Sequence, residues 1–185
     1  MPERIHIRRL VKRDLPLVLT WRNHPSVRSV MFTSREIGPE EHRAWFEKAS
    51  SAAGRRLLIA EADGSPFGFI QFDRVEVGGV SDWGFYARPG APKGKGHALG
   101  LAALDHAFFE LQLHKVCGQA LTFNEGSIRL HQRLGFHQEG LLRDQHRADG
   151  AYHPVIHFGL LRSEWPEAKK ALLSRTFTRH RGSKE

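Results

Sequence analysis

The stretch that most constrains this chain is residues 86–107, YARPGAPKGKGHALGLAALDHA. A strand-like run ends at Pro89. A loop with three glycines and two lysines follows, and an alanine- and leucine-rich helical pattern starts at Gly96. Glycines let backbone N–H groups close on an anion, and the positive end of the following helix favours a phosphate. The run Lys93, Gly94, Lys95, Gly96, His97, Ala98 therefore reads as a pyrophosphate cradle. It lacks the Gly-Lys-Ser/Thr ending of a Walker loop and lies mid-chain after a β run, unlike an N-terminal dinucleotide fold.

Length and composition bound what surrounds the cradle. At 185 residues the chain fits one domain with a real core, expected over residues 1–170, followed by a basic tail over residues 171–185. No apolar run approaches the roughly 20 residues that span a bilayer, so a soluble, cytoplasmic protein with no membrane partner is expected. The lone cysteine, Cys117, excludes a disulfide framework and reads as core rather than nucleophile. Part of the formal charge of +8 sits in the tail, where Arg175, Arg179, Arg181 and Lys184 face one acid. The rest suits phosphorylated ligands better than nucleic acid, for which no recognition motif is present.

In chain order, Ile5 and Ile7 alternate with His6 and Arg8 as an opening strand. Asp14 is expected to cap a helix with Pro16 in its first turn, which His24-Pro25 stops. Arg22, Asn23 and His24 thus fall at a helix end, suited either to an anionic or sugar ligand or to the helix's own carbonyls. Pro39 opens a second helix carrying His42, Trp45 and Phe46 at helical spacing. Residues 56–61 and 67–75 form a hairpin, and residues 80–87 another strand, with Asp82, Gly84 and Tyr86 on one face. After the cradle helix come a buried strand (116–123), an amphipathic helix (127–134) closed by Gly135, two strands (136–143 and 152–161) around a polar connection at 144–150, and a helix from Trp165. The order implies an α/β (α+β) fold: a mixed, mostly antiparallel sheet of about seven strands with helices on both faces.

Two segments together carry a resemblance. The glycine loop, with Ala91, Gly94 and Gly96, and the run Asn124, Ser127, His131, Gly135, Phe136 resemble the GNAT acetyltransferase superfamily, whose patterns are Gln/Arg-x-x-Gly-x-Gly/Ala and Asn-x-x-Ala/Ser-x-x-x-Tyr-x-x-x-Gly-Phe. Ala91 departs from the basic position of the first, and His131 from the tyrosine of the second. The resemblance implies acetyl-CoA as cosubstrate, no metal, and direct attack of an amine in a ternary complex. It assigns Phe85, Tyr86 and Ala87 to the thioester and pantetheine, and Lys93–Ala98, Asn124, Ser127 and His131 to CoA. Proton transfer to the departing thiolate falls to His131 as an imidazolium, and removal of the amine proton to Asp82.

Further residues resemble the branch of the superfamily that serves pseudaminic acid synthesis, acetylating the 4-amino group of a UDP-linked amino-dideoxy sugar. They are Arg22-Asn23-His24-Pro25, Met31, His42, Trp83-Gly84-Phe85-Tyr86, Leu111-Gln112-Leu113-His114 and Glu139-Gly140-x-x-Arg143. That resemblance assigns the acceptor to Arg22, Asn23, Met31, His42, Asp73, Arg74 and Tyr86, in a monomer or homodimer. A protein N-terminal or lysine acetyltransferase of the ribosomal-protein type is the alternative. A non-catalytic CoA binder and a nucleic-acid-binding protein complete the range.

Overall fold

The computed structural model describes residues 4–181, with the side chains of residues 4–174. Seven strands form one sheet in the order β1-β2-β3-β4-β5-β7-β6. They are β1 (Ile5–Arg9), β2 (Arg55–Ala62), β3 (Ser65–Asp73), β4 (Val80–Ala87), β5 (Lys115–Leu121), β6 (His137–Ala148) and β7 (Ala151–Leu161). All neighbours are antiparallel except β4 and β5. That parallel pair holds for only three residue pairs, Val80–Lys115, Ser81–Val116 and Asp82–Cys117. Beyond Asp82 and Cys117 the two strands part, and the sheet opens into a wedge.

Helices cover both faces, as the element order implied. On one side α1 (Leu15–Asn23) and α3 (Pro39–Ser51) bury Val18, Phe46 and Ala49 against Leu57, Ile59 and Phe69 of β2 and β3. On the other, α4 (Lys95–Asp105), α5 (Glu125–Arg133) and α6 (Trp165–Arg181) enclose the larger core, in which Phe72, Leu99, Phe108, Phe158 and Trp165 are almost fully buried. Alternation in β2 and β3 sends successive side chains to the two cores, so both strands are buried nearly throughout. Among the described residues, no helix is long and apolar enough to cross a membrane.

Several local expectations change. Asp14 does not cap α1 through its side chain. Its carboxylate instead takes Arg8 at 2.7 and 2.9 Å and the Val11 N–H at 3.0 Å. His24-Pro25 redirects the chain rather than stopping it: the His24 ring accepts from Ser26 N–H and caps a further short helix, α2 (Pro25–Arg28). The polar segment 144–150 is no long connection, because β6 and β7 pair as far as Ala148–Ala151, and only Asp149 and Gly150, both with positive φ, turn. Residues 171–181 of the expected tail continue α6; the remainder lies outside the described residues.

Glu139, part of the Glu139-Gly140-x-x-Arg143 motif, has a structural use. The β6 register shifts between Gln138 and Gly140, and the Glu139 carboxylate crosses β7 over Gly159 to meet Lys115 Nζ of β5 at 2.6 and 2.7 Å. A Cβ on Gly159 would lie 2.4 Å from that carboxylate, so any side chain there would displace Glu139 from its path to Lys115.

Candidate active site

The wedge between β4 and β5 continues into a cleft of about 750 Å³. Its floor is β4 from Asp82 to Ala87, its far wall is Cys117, Gln119 and Leu121 of β5, and α5 closes one side through Ser127, Leu130 and His131. The segment after α2, Val30 to Thr33, closes the other, together with Arg22 of α1. Because β5 leaves β4 after Asp82, one edge of β4 from Trp83 onward has no strand partner, and its main-chain N–H and C=O groups are available to a bound chain of amides. Phe85, Tyr86 and Ala87, expected to serve the thioester and pantetheine, all lie there.

The loop after β4 reaches the cleft through residues 88–92, and α4 through Gly96 and Leu99. Gly94, at φ 96°, turns the chain into α4, a conformation that costs a side-chain-bearing residue about 1 kcal/mol or more. Helix starts leave first-turn N–H groups without internal partners, and Gly96 brings one such position to the cleft. Lys93, Gly94, Lys95, His97 and Ala98 stand on this loop and first turn without lining the cleft, and Lys95 Nζ lies 4.8 Å above the Phe67 ring. With α4 starting at Lys95, the two small positions of the loop pattern are best taken by Gly96 and Ala98. The basic position then falls on Lys93, and Ala91 is no departure.

On α5, Asn124 is the N-cap: its Oδ1 accepts from Ser127 N–H at 3.1 Å. Its Nδ2 donates to the Val30 carbonyl at 3.3 Å, tying α5 to the segment across the cleft. Ser127 and His131 follow at one and two helical turns. His131 is 1% exposed. Its Nδ1–H donates to the Ser127 carbonyl at 2.8 Å, and its Nε2 accepts from Trp83 Nε1–H at 3.1 Å. The ring stacks on Phe158 with centroids 4.7 Å apart. Burial pushes its pKa down to about 4, against a smaller opposing effect of the Ser127 carbonyl. An imidazolium, expected from the sequence, is disfavoured in this setting, because burial lowers the ring's pKa and both nitrogens have partners in the fold.

Asp82 stands where the wedge opens, register partner of both Asp73 on β3 and Cys117 on β5. Register partners project to one face, so Asp73 and Asp82 form a pair of adjacent carboxylates lining the cleft. Each has its own cation: Arg74 pairs with Asp82, and Arg55 with Asp73, which also accepts from Gln71 Nε2 at 3.3 Å. Past them, Gly84 opposes Gln71 and Tyr86 opposes Phe69, giving a floor that runs from acidic to apolar.

The residues expected at the acceptor separate into two groups. Arg22, Met31, Asp73 and Tyr86 line the cleft; Asn23, His42 and Arg74 do not. The Asn23 amide is consumed by both main-chain groups of Ile37, at 2.8 Å each, and shapes the segment before α3. His42 is 5% exposed and stacked on Trp45, with its pKa lowered by burial and by the nearby Arg22 charge. Arg74 is spent on Asp82. Arg22 Nη2 donates to the Thr33 carbonyl at 2.7 Å, whereas Nη1 is buried without a protein partner. Burial lowers its pKa, and among charged neighbours Arg35 adds to the effect. Tyr86, its phenol raised by burial, keeps its proton.

Cys117 was expected in the core and instead lines the cleft, half-buried, its thiol pKa raised chiefly by burial. Gln119 beside it was not anticipated. The alternation Cys117, Gln119 between buried Val116, Gly118 and Ala120 is the signal that β5 has one open face. Among the described residues, no group of three or more His, Cys, Asp or Glu side chains is arranged to hold a metal.

The splayed parallel pair thus places an open strand edge and a glycine-led helix start at one cleft. The acetyltransferase (GNAT) domain family matches residues 4–137, and the chain belongs to it; acetyltransferases of this family use acetyl-CoA. The SPbeta prophage-derived uncharacterized N-acetyltransferase YokL of Bacillus subtilis (strain 168) is 37% identical over 127 residues, covering 66% of this chain and 71% of that protein. Acetyltransferase PseH of Campylobacter jejuni (strain 81-176) is 26% identical over 127 residues, 69% of this chain and 79% of its own. In overall fold, the crystal structure of spermidine N-acetyltransferase from Vibrio cholerae in complex with CoA and spermine superposes with a TM-score of 0.80 at 22% identity, over 87% of this chain and 97% of that one.

Proposed function

We propose that the protein transfers acetyl from acetyl-CoA to the amine of an anionic acceptor, a UDP-linked 4-amino sugar of the kind used in pseudaminic acid synthesis. The observation that carries this is Arg22 Nη1, a buried guanidinium nitrogen on the cleft wall with no protein partner. An unmet buried donor costs about 1–3 kcal/mol, which a diphosphate oxygen would recover. Resemblance to PseH supports the same reading. A polyamine acceptor is disfavoured because Asp73, the second carboxylate of the cleft, is already taken by Arg55 and Gln71.

In this reading the pantetheine lies along the open edge of β4, with its pyrophosphate at Gly96 and Lys93. The ammonium approaches over Gly84, where Asp82 takes one proton and frees the lone pair that then forms the C–N bond. The tetrahedral oxyanion meets main-chain N–H groups of residues 85–87. As it collapses, the C–S bond breaks and the thiolate leaves beside the Ser127 hydroxyl, which lines the cleft and can donate a hydrogen bond to the sulfur, while the second amine proton passes from the acetylated nitrogen to the thiolate.

Acetyl-CoA turnover, followed by thiol release across UDP-4-amino sugars, spermidine and N-terminal peptides, tests the assignment. Turnover with the nucleotide sugars that Arg22→Ala lowers through KM is expected. Turnover confined to spermidine or peptides would overturn it.

A further inference from the structure

Four rings stand in a row that starts on the cleft wall. Phe32, which lines the cleft, meets His146 of β6 edge-on, with centroids 5.2 Å apart and planes at 89°. His146 is the register partner of His153 on β7, so the two imidazoles project to one face. His153 in turn meets Phe123 edge-on, at 5.0 Å and 80°. Phe123 precedes Asn124, whose Nδ2 bonds the Val30 carbonyl two residues before Phe32. The row and the Asn124–Val30 bond thus join, at both ends, the segment that carries Phe32 to the one that carries Phe123.

Packing does not explain those phenylalanines. Phe32 is 45% and Phe123 43% exposed, so each retains ring surface toward solvent. A ring fixed edge-on by a neighbour keeps a face for a planar ligand. The row also adjoins the anion position: Arg22 Nη2 holds the carbonyl of Thr33, the residue next to Phe32. A planar ring joined to an anionic group is the chemistry of a nucleotide.

We propose that Phe32, His146, His153 and Phe123 form a base-stacking subsite that takes the uracil ring of the acceptor while Arg22 holds its diphosphate. The proposal rests on the nucleotide-sugar reading above and adds what recognises the nucleoside.

The test is a calorimetric titration of UDP and, separately, of inorganic pyrophosphate into protein saturated with CoA, so that the donor's phosphate loop is already filled. Wild type should bind UDP about tenfold or more tightly than pyrophosphate, the scale of one stacked base. Phe32→Ala and Phe123→Ala should each remove most of that margin and leave pyrophosphate affinity unchanged; their melting temperatures check that the fold is intact. Equal affinities in wild type, or a margin that survives both substitutions, would overturn the subsite while leaving the anion site at Arg22 standing. Binding of neither anion would overturn the subsite and the nucleotide-sugar reading together.

Discussion

Trp83 and His131 are 48 residues apart in sequence and 3.1 Å apart in the core, the indole N–H donating to a ring nitrogen that must therefore be unprotonated. With Nδ1–H on the Ser127 carbonyl, the pair locks α5 against β4 under the floor of the cleft.

This arrangement sets a pH dependence. His131 has a native pKa of about 4 against 6.5 for the free side chain, so between those values the unfolded chain binds a proton that the native state refuses. Stability therefore rises with pH across that window; it is complete above 6.5 and lost as pH falls toward 4, by about 3 kcal/mol at most. Melting temperatures of wild type should fall between pH 7 and pH 5, and His131→Gln should flatten that slope. An equal slope in both proteins would show that His131 does not titrate in this way.

Gly118 of β5 lies against the same pair. A Cβ there would sit 2.3 Å from His131 Nε2 and 2.8 Å from Trp83 Nε1, closer than atoms approach. Gly118→Ala should cost about 1–3 kcal/mol through overpacking, read as a lower melting temperature with altered Trp fluorescence. A neutral result would mean that the indole and imidazole shift without loss.

Asp82→Asn should lower kcat/KM about 100-fold or more near neutral pH while leaving CoA affinity unchanged. The deficit should shrink at alkaline pH, where the amine loses its proton unaided. A deficit that is constant with pH would make Asp82 a structural partner of Arg74 only.

Asn124 joins the donor and acceptor sides of the cleft. Asn124→Ser retains an oxygen to cap α5 but loses the donor to Val30. Acceptor KM should rise several-fold with little change in CoA affinity or melting temperature. A loss confined to CoA binding would assign Asn124 to the cofactor alone.

The cleft was partly legible because two of its walls are local. A glycine loop opening α4 and an Asn-capped α5 are each fixed by neighbours in sequence, so spacing reveals them. The reading of His131 rested on the same kind of signal. Its position on α5 is a matter of spacing, but its charge state depends on Trp83, Phe158 and Gly118, which arrive from other strands. Asn23 and His42 likewise look like ligands by residue type and are instead absorbed by Ile37 and Trp45.

By itself, then, the sequence determined the succession of strands and helices, the phosphate-ready start of α4 and the capped α5, because helical period, alternation and glycine conformation are short-range. Only the tertiary structure decided where β4 and β5 separate, that Asp73 and Asp82 become neighbours with a cation each, and that Arg22 keeps one nitrogen unmatched. These follow from desolvation and strand register, which sum over residues far apart in the chain.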